Sequence, residues 1–177
     1  MVSLSHASES PATAFPAKVS SVDKLRTALI YLRKVFVAIW IGKIVFFAAG
    51  VAPTVFKVLE RPDAAALQAQ IFPKYFGLGL VATSAVLVLS LLLYRSDRTR
   101  GRWHSRALLA IAAISLGIYA NLLFNITPEI LRLQPEVLLL PKGSTESIAM
   151  QFAEIHSLST TLNLAALLLG LVCLALV

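Results

Sequence analysis

The stretch VFVAIWIGKIVFFAAGVAPTVFKVL, residues 35–59, decides the fold, because Lys43 and Lys57 are its only charged residues. A helix needs about 20 apolar residues to cross the hydrocarbon core of a bilayer. In lipid, backbone N–H and C=O groups must pair within the segment, so the stretch should be helical. Three more apolar runs follow at Gly77–Leu93, Ala107–Phe124 and Ser157–Val177. The sequence therefore predicts four membrane-spanning helices.

Composition points to the same class of protein. Of the 177 residues, 58% are hydrophobic and only 14% are charged, whereas soluble domains carry about 25% charged residues. We expect an all-α, integral membrane four-helix bundle over residues 35–177, with no room for a second domain. Residues 1–21 are rich in serine and alanine and predict a disordered arm. Residues 22–34 interleave apolar and basic residues, which predicts an amphipathic helix at the membrane interface.

The net charge of +7 would favour nucleic acid as a partner of a soluble protein. Here the basic residues instead follow the ends of the spans. Ten lie on the side of the termini: Lys18, Lys24, Arg26, Arg33, Lys34, Arg95, Arg98, Arg100, Arg102 and Arg106. Five lie on the other side: Lys57, Arg61, Lys74, Arg132 and Lys142. The positive-inside rule then predicts cytoplasmic N- and C-termini, with the lipid bilayer rather than nucleic acid as the partner.

The chain has an internal repeat. Pro53 follows Gly42 by eleven residues in the first span, and Pro128 follows Gly117 by eleven residues in the third. This correspondence favours two repeated helix hairpins, made of spans one and two and of spans three and four. Chance similarity between two helix ends is the alternative.

Pro53 and Pro128 also bear on where the helices end. Proline removes a helical hydrogen bond and disfavours helix at the residue before it, so we expect both prolines to bend or end their helices near the interface. After the first, Leu59–Phe72 predicts a separate short interfacial helix. After the second, Glu129–Glu154 predicts a long loop.

Lys43 is the most unusual residue of the spans. An ionised side chain near the centre of the bilayer costs roughly 2.5–3.5 kcal/mol on insertion scales. One interpretation is that Lys43 binds an anion or relays a proton inside the bundle. The other, which we favour from sequence, is that its long stem carries the ammonium group towards the cytoplasmic head groups.

Amides and hydroxyls form a second polar feature. Asn121 and Asn125 share a face of span three, and His156, Ser159 and Asn163 share a face of span four by helical spacing. The two faces predict an intramembrane polar stripe. It is interpreted either as a cavity for an ion or small solute, or as hydrogen bonds that hold spans three and four together. The structural interpretation is the favoured one.

Metal and catalytic chemistry have little support. Cys173 is the only cysteine, so no disulfide forms within the chain and no thiol-based metal motif can be built. Glu129, Glu154 and His156 offer a weak metal site at most, and no histidine at a facing depth completes a haem pair. We expect no cofactor, no bound metal and no enzymatic activity.

Several short motifs follow one another in a fixed order. They are Trp40-x-Gly42, Phe46-Phe47, Ala52-Pro53-x-x-Phe56, Phe72-Pro73-x-Tyr75-Phe76, Asn125-x-x-Pro128, Phe152-x-x-x-His156-Ser157 and Asn163-Leu164. In this order and spacing, residues 35–177 resemble a bacterial four-span domain of unknown function related to the eukaryotic transmembrane-protein-two-hundred-five family.

The resemblance implies a small polytopic protein, here of the bacterial inner membrane, with an undefined biochemical role. The eukaryotic relatives are associated with platinum-drug resistance and secretory membranes. Lys43 departs from the pattern, which leads us to expect a small or hydroxylated residue there. The scarcity of methionine and cysteine disfavours the handling of soft metals.

Two functions fit these observations. The first is a packing or partner-binding unit, either a homo-oligomer or an accessory subunit bound to a membrane-protein partner. The second is a small oligomeric transporter or channel for an ion or small solute. Whether the polar stripe encloses a cavity discriminates between them.

Overall fold

The computed structural model describes residues 20–96, 102–141 and 144–177. The predicted arm at residues 1–21 lies outside the described residues, apart from Ser20 and Ser21. The described parts form six α-helices and two π-helical turns. The α-helices are α1 (Ser21–Phe46), α2 (Ala52–Val58), α3 (Arg61–Ser96), α4 (Arg102–Asn121), α5 (Thr127–Leu139) and α6 (Ser147–Leu176).

Four continuous helical stretches are long and apolar enough to cross a membrane. Span one is Ser21–Val58, span two Arg61–Arg95, span three Trp103–Leu139 and span four Ser147–Leu176. Spans one and three each pack against both span two and span four, so the four helices form a ring. The predicted all-α four-helix membrane bundle is confirmed.

The two π-helical turns explain how spans one and three pass their prolines. Phe47–Val51 precedes Pro53, and Leu122–Ile126 precedes Pro128. Each turn closes with a backbone bond over five residues, from the N–H of Ala52 or Thr127 back to the first carbonyl of the turn. The wider turn lets the helix continue although proline has no N–H to donate.

Neither helix ends at its proline, so that part of the prediction is wrong. The two turns begin five residues after Gly42 and after Gly117, as the predicted repeat of two hairpins requires.

Three predicted boundaries also differ from the structure. Residues 22–34 are helical but continue into span one without a break at residue 34, and an interfacial position for them stays a prediction. Leu59–Phe72 is not a separate helix, because α3 runs from Arg61 through Pro73. Helix breakers are tolerated within membrane helices because neighbouring helices and local adjustments satisfy the freed backbone groups.

The predicted loop at Glu129–Glu154 is largely helical, which corrects the third boundary. Ile130, Leu133 and Val137 recur at helical spacing and are buried, so α5 has one apolar face. Glu129 and Arg132 form an exposed ion pair one turn apart, with Arg132 Nε 2.9 Å from Glu129 Oε2. Pro135, Pro141 and Gly143 favour a loop in the sequence, but Pro135 lies inside α5.

Candidate functional site

Lys43 lies inside the bundle, and its side chain is only 9% exposed. Its Nζ atom is 3.7 Å from the centre of the Tyr75 ring and 4.3 Å from the centre of the Tyr119 ring. The interpretation that Lys43 reaches towards the head groups is therefore wrong. Two aromatic faces provide electrostatic attraction for the ammonium group in place of lipid head groups and water.

Tyr119 can approach Lys43 because of a glycine on the neighbouring helix. Tyr119 on α4 is fully buried against α3. A Cβ atom placed on Gly79 of α3 would lie 2.5 Å from Tyr119 Cε1, closer than any side chain tolerates. Small residues let membrane helices pack at short range, and Gly79 provides the room that this ring occupies.

The Tyr119 hydroxyl forms no hydrogen bond within the described parts of the chain. The Trp40 indole lies beside it, but its N–H likewise has no partner in good geometry among the described residues. Both polar groups are thus buried without a strong acceptor, an expensive arrangement in a bilayer.

Tyr75 connects the lysine to span four. Its hydroxyl oxygen lies 3.1 Å from Oδ1 and 2.9 Å from Nδ2 of Asn163, so it can donate to the first or accept from the second. Each of the four spans thus contributes one side chain to a connected group. We name Lys43, Tyr75, Tyr119 and Asn163 the central polar cluster.

The predicted polar stripe does not form as a single network. Asn125 Nδ2 donates to Asn121 Oδ1 at 2.9 Å, and this pair lies at the exposed side of span three. Asn163 bonds to span two instead. Asn121 and Asn125 thus share a face, as helical spacing predicts, but their amides bond to each other rather than to span four.

The remaining residues of the stripe border a cavity next to the central polar cluster. This cavity has a volume of about 210 Å³, and we name it the Asn163 cavity. Ser159 is buried at its wall, while His156 is exposed at its edge. Its polar lining consists of Gln68, Tyr75, His156, Ser159, Thr160 and Asn163, and four phenylalanines make most of the rest.

A second cavity lies at the opposite end of the bundle, where α3 ends and α4 begins. It has a volume of about 480 Å³, and we name it the Arg33 cavity. Its polar lining includes Arg26, Arg33, Tyr94, His104 and Ser105. The residues that line the two cavities lie towards opposite ends of the bundle, and the central polar cluster lies between them.

Some residues of the candidate site could not be identified from the sequence. Nothing in the sequence singles out Tyr119, Gly79 or Gln68, and Tyr75 enters only through the Phe72-Pro73-x-Tyr75-Phe76 motif. A lysine within a span does carry one usable signal, since its ammonium group requires a partner at the same depth. Over residues 20–96, 102–141 and 144–177, no three His, Cys, Asp or Glu side chains are grouped to hold a metal ion.

The bond between Tyr75 and Asn163 should stabilise the bundle modestly. We expect Tyr75→Phe and Asn163→Leu to be coupled by about 0.6 kcal/mol, with a ceiling of about 1.7 kcal/mol, as for other hydrogen bonds between membrane helices. The measurement is a double-mutant cycle on the free energy of unfolding in mixed micelles. Strictly additive losses would show that the two groups do not interact.

Comparison with known proteins places the chain in a family. A family described as "Domain of unknown function (DUF4149)" matches residues 35–137, more than half of the chain. An uncharacterized protein of Aquifex aeolicus (strain VF5) is 32% identical over 151 residues, which cover 84% of this chain and 91% of that protein. No solved structure matches. On the strength of the family match over more than half of its length, the chain belongs to the DUF4149 family.

Proposed function

We propose that the protein is a small transporter that binds a solute inside its four-span bundle. The observation that carries this proposal is the position of the central polar cluster, between the Asn163 cavity and the Arg33 cavity. Substrate sites of membrane transporters lie near the middle of the bilayer, and alternating access opens such a site to one side at a time.

Lys43 argues against a bundle that serves for packing alone. Burial of a charge without an anionic partner costs free energy that an apolar side chain of similar volume would not cost. Ionisable residues within membrane spans therefore mark substrate or ion pathways more often than structural contacts. The same reasoning moves the transporter ahead of the packing unit that the sequence alone favoured.

Four spans enclose little space, so we also propose that the protein assembles as a homo-oligomer or with a membrane-protein partner. A transporter and an accessory subunit are then compatible roles, because the partner chain would complete the path of the solute through the membrane. We propose no enzymatic role.

The proposal also states where the protein lies and to which family it is related. We place the protein in the bacterial inner membrane with cytoplasmic termini, supported by the ten basic residues on the terminal side against five on the other. We propose kinship with the eukaryotic transmembrane-protein-two-hundred-five family, supported by the order of the motifs from Trp40-x-Gly42 to Asn163-Leu164.

A flux assay tests the transporter. The purified full chain is reconstituted into liposomes, and uptake of radiolabelled chloride, benzoate, glycine and glycerol is followed against empty liposomes. We expect uptake of at least one solute above the empty liposomes, and a clear reduction in Asn163→Ala. Uptake equal to that of empty liposomes for all four solutes would contradict the proposal.

A further inference from the structure

We propose that the Asn163 cavity is a binding site for a small organic carboxylate, with the anion drawn by the ammonium group of Lys43. The inference rests on the proposed function and names the solute class of the same site. Three features of the cavity support it: the Lys43 charge in contact with its lining, the hydrogen-bond donors of its lining and the apolar character of its sides.

The first feature is a positive charge in contact with an aromatic ring of the cavity lining. Tyr75 lines the Asn163 cavity, and the Lys43 Nζ atom lies 3.7 Å from the centre of the same ring. Nζ is inaccessible and forms no hydrogen bond to any described residue. Its charge therefore lacks an anionic partner, and a carboxylate in the cavity would supply one across a short distance of low dielectric.

The second feature is a supply of hydrogen-bond donors. Gln68 is only 7% exposed, its Nε2 atom has no partner among the described residues, and it lines the cavity. Ser159 adds a hydroxyl at the same wall, whereas the Thr160 hydroxyl already donates to the carbonyl oxygen of His156 at 3.0 Å. A buried donor without a partner is costly, and a carboxylate oxygen from a ligand would satisfy it.

A neighbouring cavity also has basic and amide groups in its lining. It has a volume of about 160 Å³ and shares Phe56, Gln68, Phe72 and His156 with the Asn163 cavity. Its one charged lining residue is Arg61, which also donates to the carbonyl oxygens of Val137 and Leu140. Among the described residues, no Asp or Glu lines either cavity.

The third feature selects an organic anion over an inorganic one. Phe47, Phe56, Phe72 and Phe76 form the sides of the Asn163 cavity. Such walls gain from contact with an apolar body, while a few polar groups fix its orientation. A cationic ligand is disfavoured, because the face of the Tyr75 ring already holds the Lys43 ammonium group.

Benzoate is a suitable probe, since it joins an aromatic body to one carboxylate. Binding of radiolabelled benzoate to the purified full chain in detergent is measured by equilibrium dialysis. Benzamide and benzylamine, neutral and cationic molecules with the same ring, serve as competitors. We expect saturable binding that unlabelled benzoate displaces and that equal concentrations of the other two leave in place.

Two variants test the contribution of the Lys43 charge and that of the Gln68 donor separately. Lys43→Met should weaken benzoate binding at least about tenfold, because a unit charge within about 10 Å contributes that much in a partly buried site. Gln68→Leu should weaken it as well. Lys74→Met removes an exposed lysine next to Tyr75 in the chain and should leave the affinity unchanged. Circular dichroism and size-exclusion chromatography confirm that each variant is folded.

Absence of saturable benzoate binding would overturn the proposal, as would equal displacement by benzamide or equal affinities of Lys43→Met and Lys74→Met. The result is independent of the flux assay. Uptake of glycerol without benzoate binding would overturn the carboxylate and keep the transporter. Benzoate binding without uptake of any solute would keep the site and overturn the transporter.

Discussion

Replacing Gly79 with leucine is expected to lower the free energy of unfolding by about 3 kcal/mol, the upper end of the range for overpacked cores. The first atom added at this position would meet the Tyr119 ring at 2.5 Å. Tyr119 is fully buried and cannot turn into open space, so helices α3 and α4 must separate or the ring must leave its place beside Lys43. The measurement is unfolding in mixed micelles, supported by the melting temperature from circular dichroism.

A matched control lies two residues earlier on the same helix. A Cβ atom at Gly77 has no neighbouring atom within 4 Å. Gly77→Leu should therefore leave stability within about 1 kcal/mol, since leucine also has the better helix propensity. A second substitution, Tyr119→Leu, should recover part of the loss in Gly79→Leu by making room. Equal losses at Gly77 and Gly79 would show that contact with Tyr119 is not the cause.

The sequence predicted the spans well because lipid imposes a strong and local rule. A run such as Gly77–Leu93 must be helical whatever surrounds it. The ends of the helices were harder, since they depend on packing. Pro73 lies inside α3, and Pro128 opens α5 after a π-helical turn, although local propensity favours a break at both.

The candidate site was only partly predictable for a related reason. Lys43 and Asn163 were identified because a charge or an amide in lipid needs a partner. Their partners, Tyr75 and Tyr119, come from other spans, and nothing in the sequence aligns the depths of different helices. Asn121 and Asn125 share a face as the helical period predicts, but that period does not show which face of span three meets span four.

Two substitutions of Lys43 by side chains of similar size should have very different effects on the stability of the protein. Lys43→Glu places a carboxylate against the faces of two aromatic rings, whose negative potential repels it. With no described cation close to it in the bundle interior, the new charge is expected to destabilise the protein by about 3 kcal/mol or more. Lys43→Met removes the charge and keeps most of the stem, so its stability should stay within about 1 kcal/mol of the wild type or rise.

The comparison of the two variants distinguishes a functional lysine from a structural one. At the equivalent point of the second hairpin, directly after Gly117, the chain has the apolar Ile118, so this depth of the bundle accepts a residue without charge. Unfolding in mixed micelles and the yield in the membrane fraction are the measurements. If Lys43→Met lost as much stability as Lys43→Glu, the role of Lys43 would be structural, because its contacts with the two rings would hold the bundle together. A stable Lys43→Met that no longer binds benzoate would instead tie the ammonium group to a ligand.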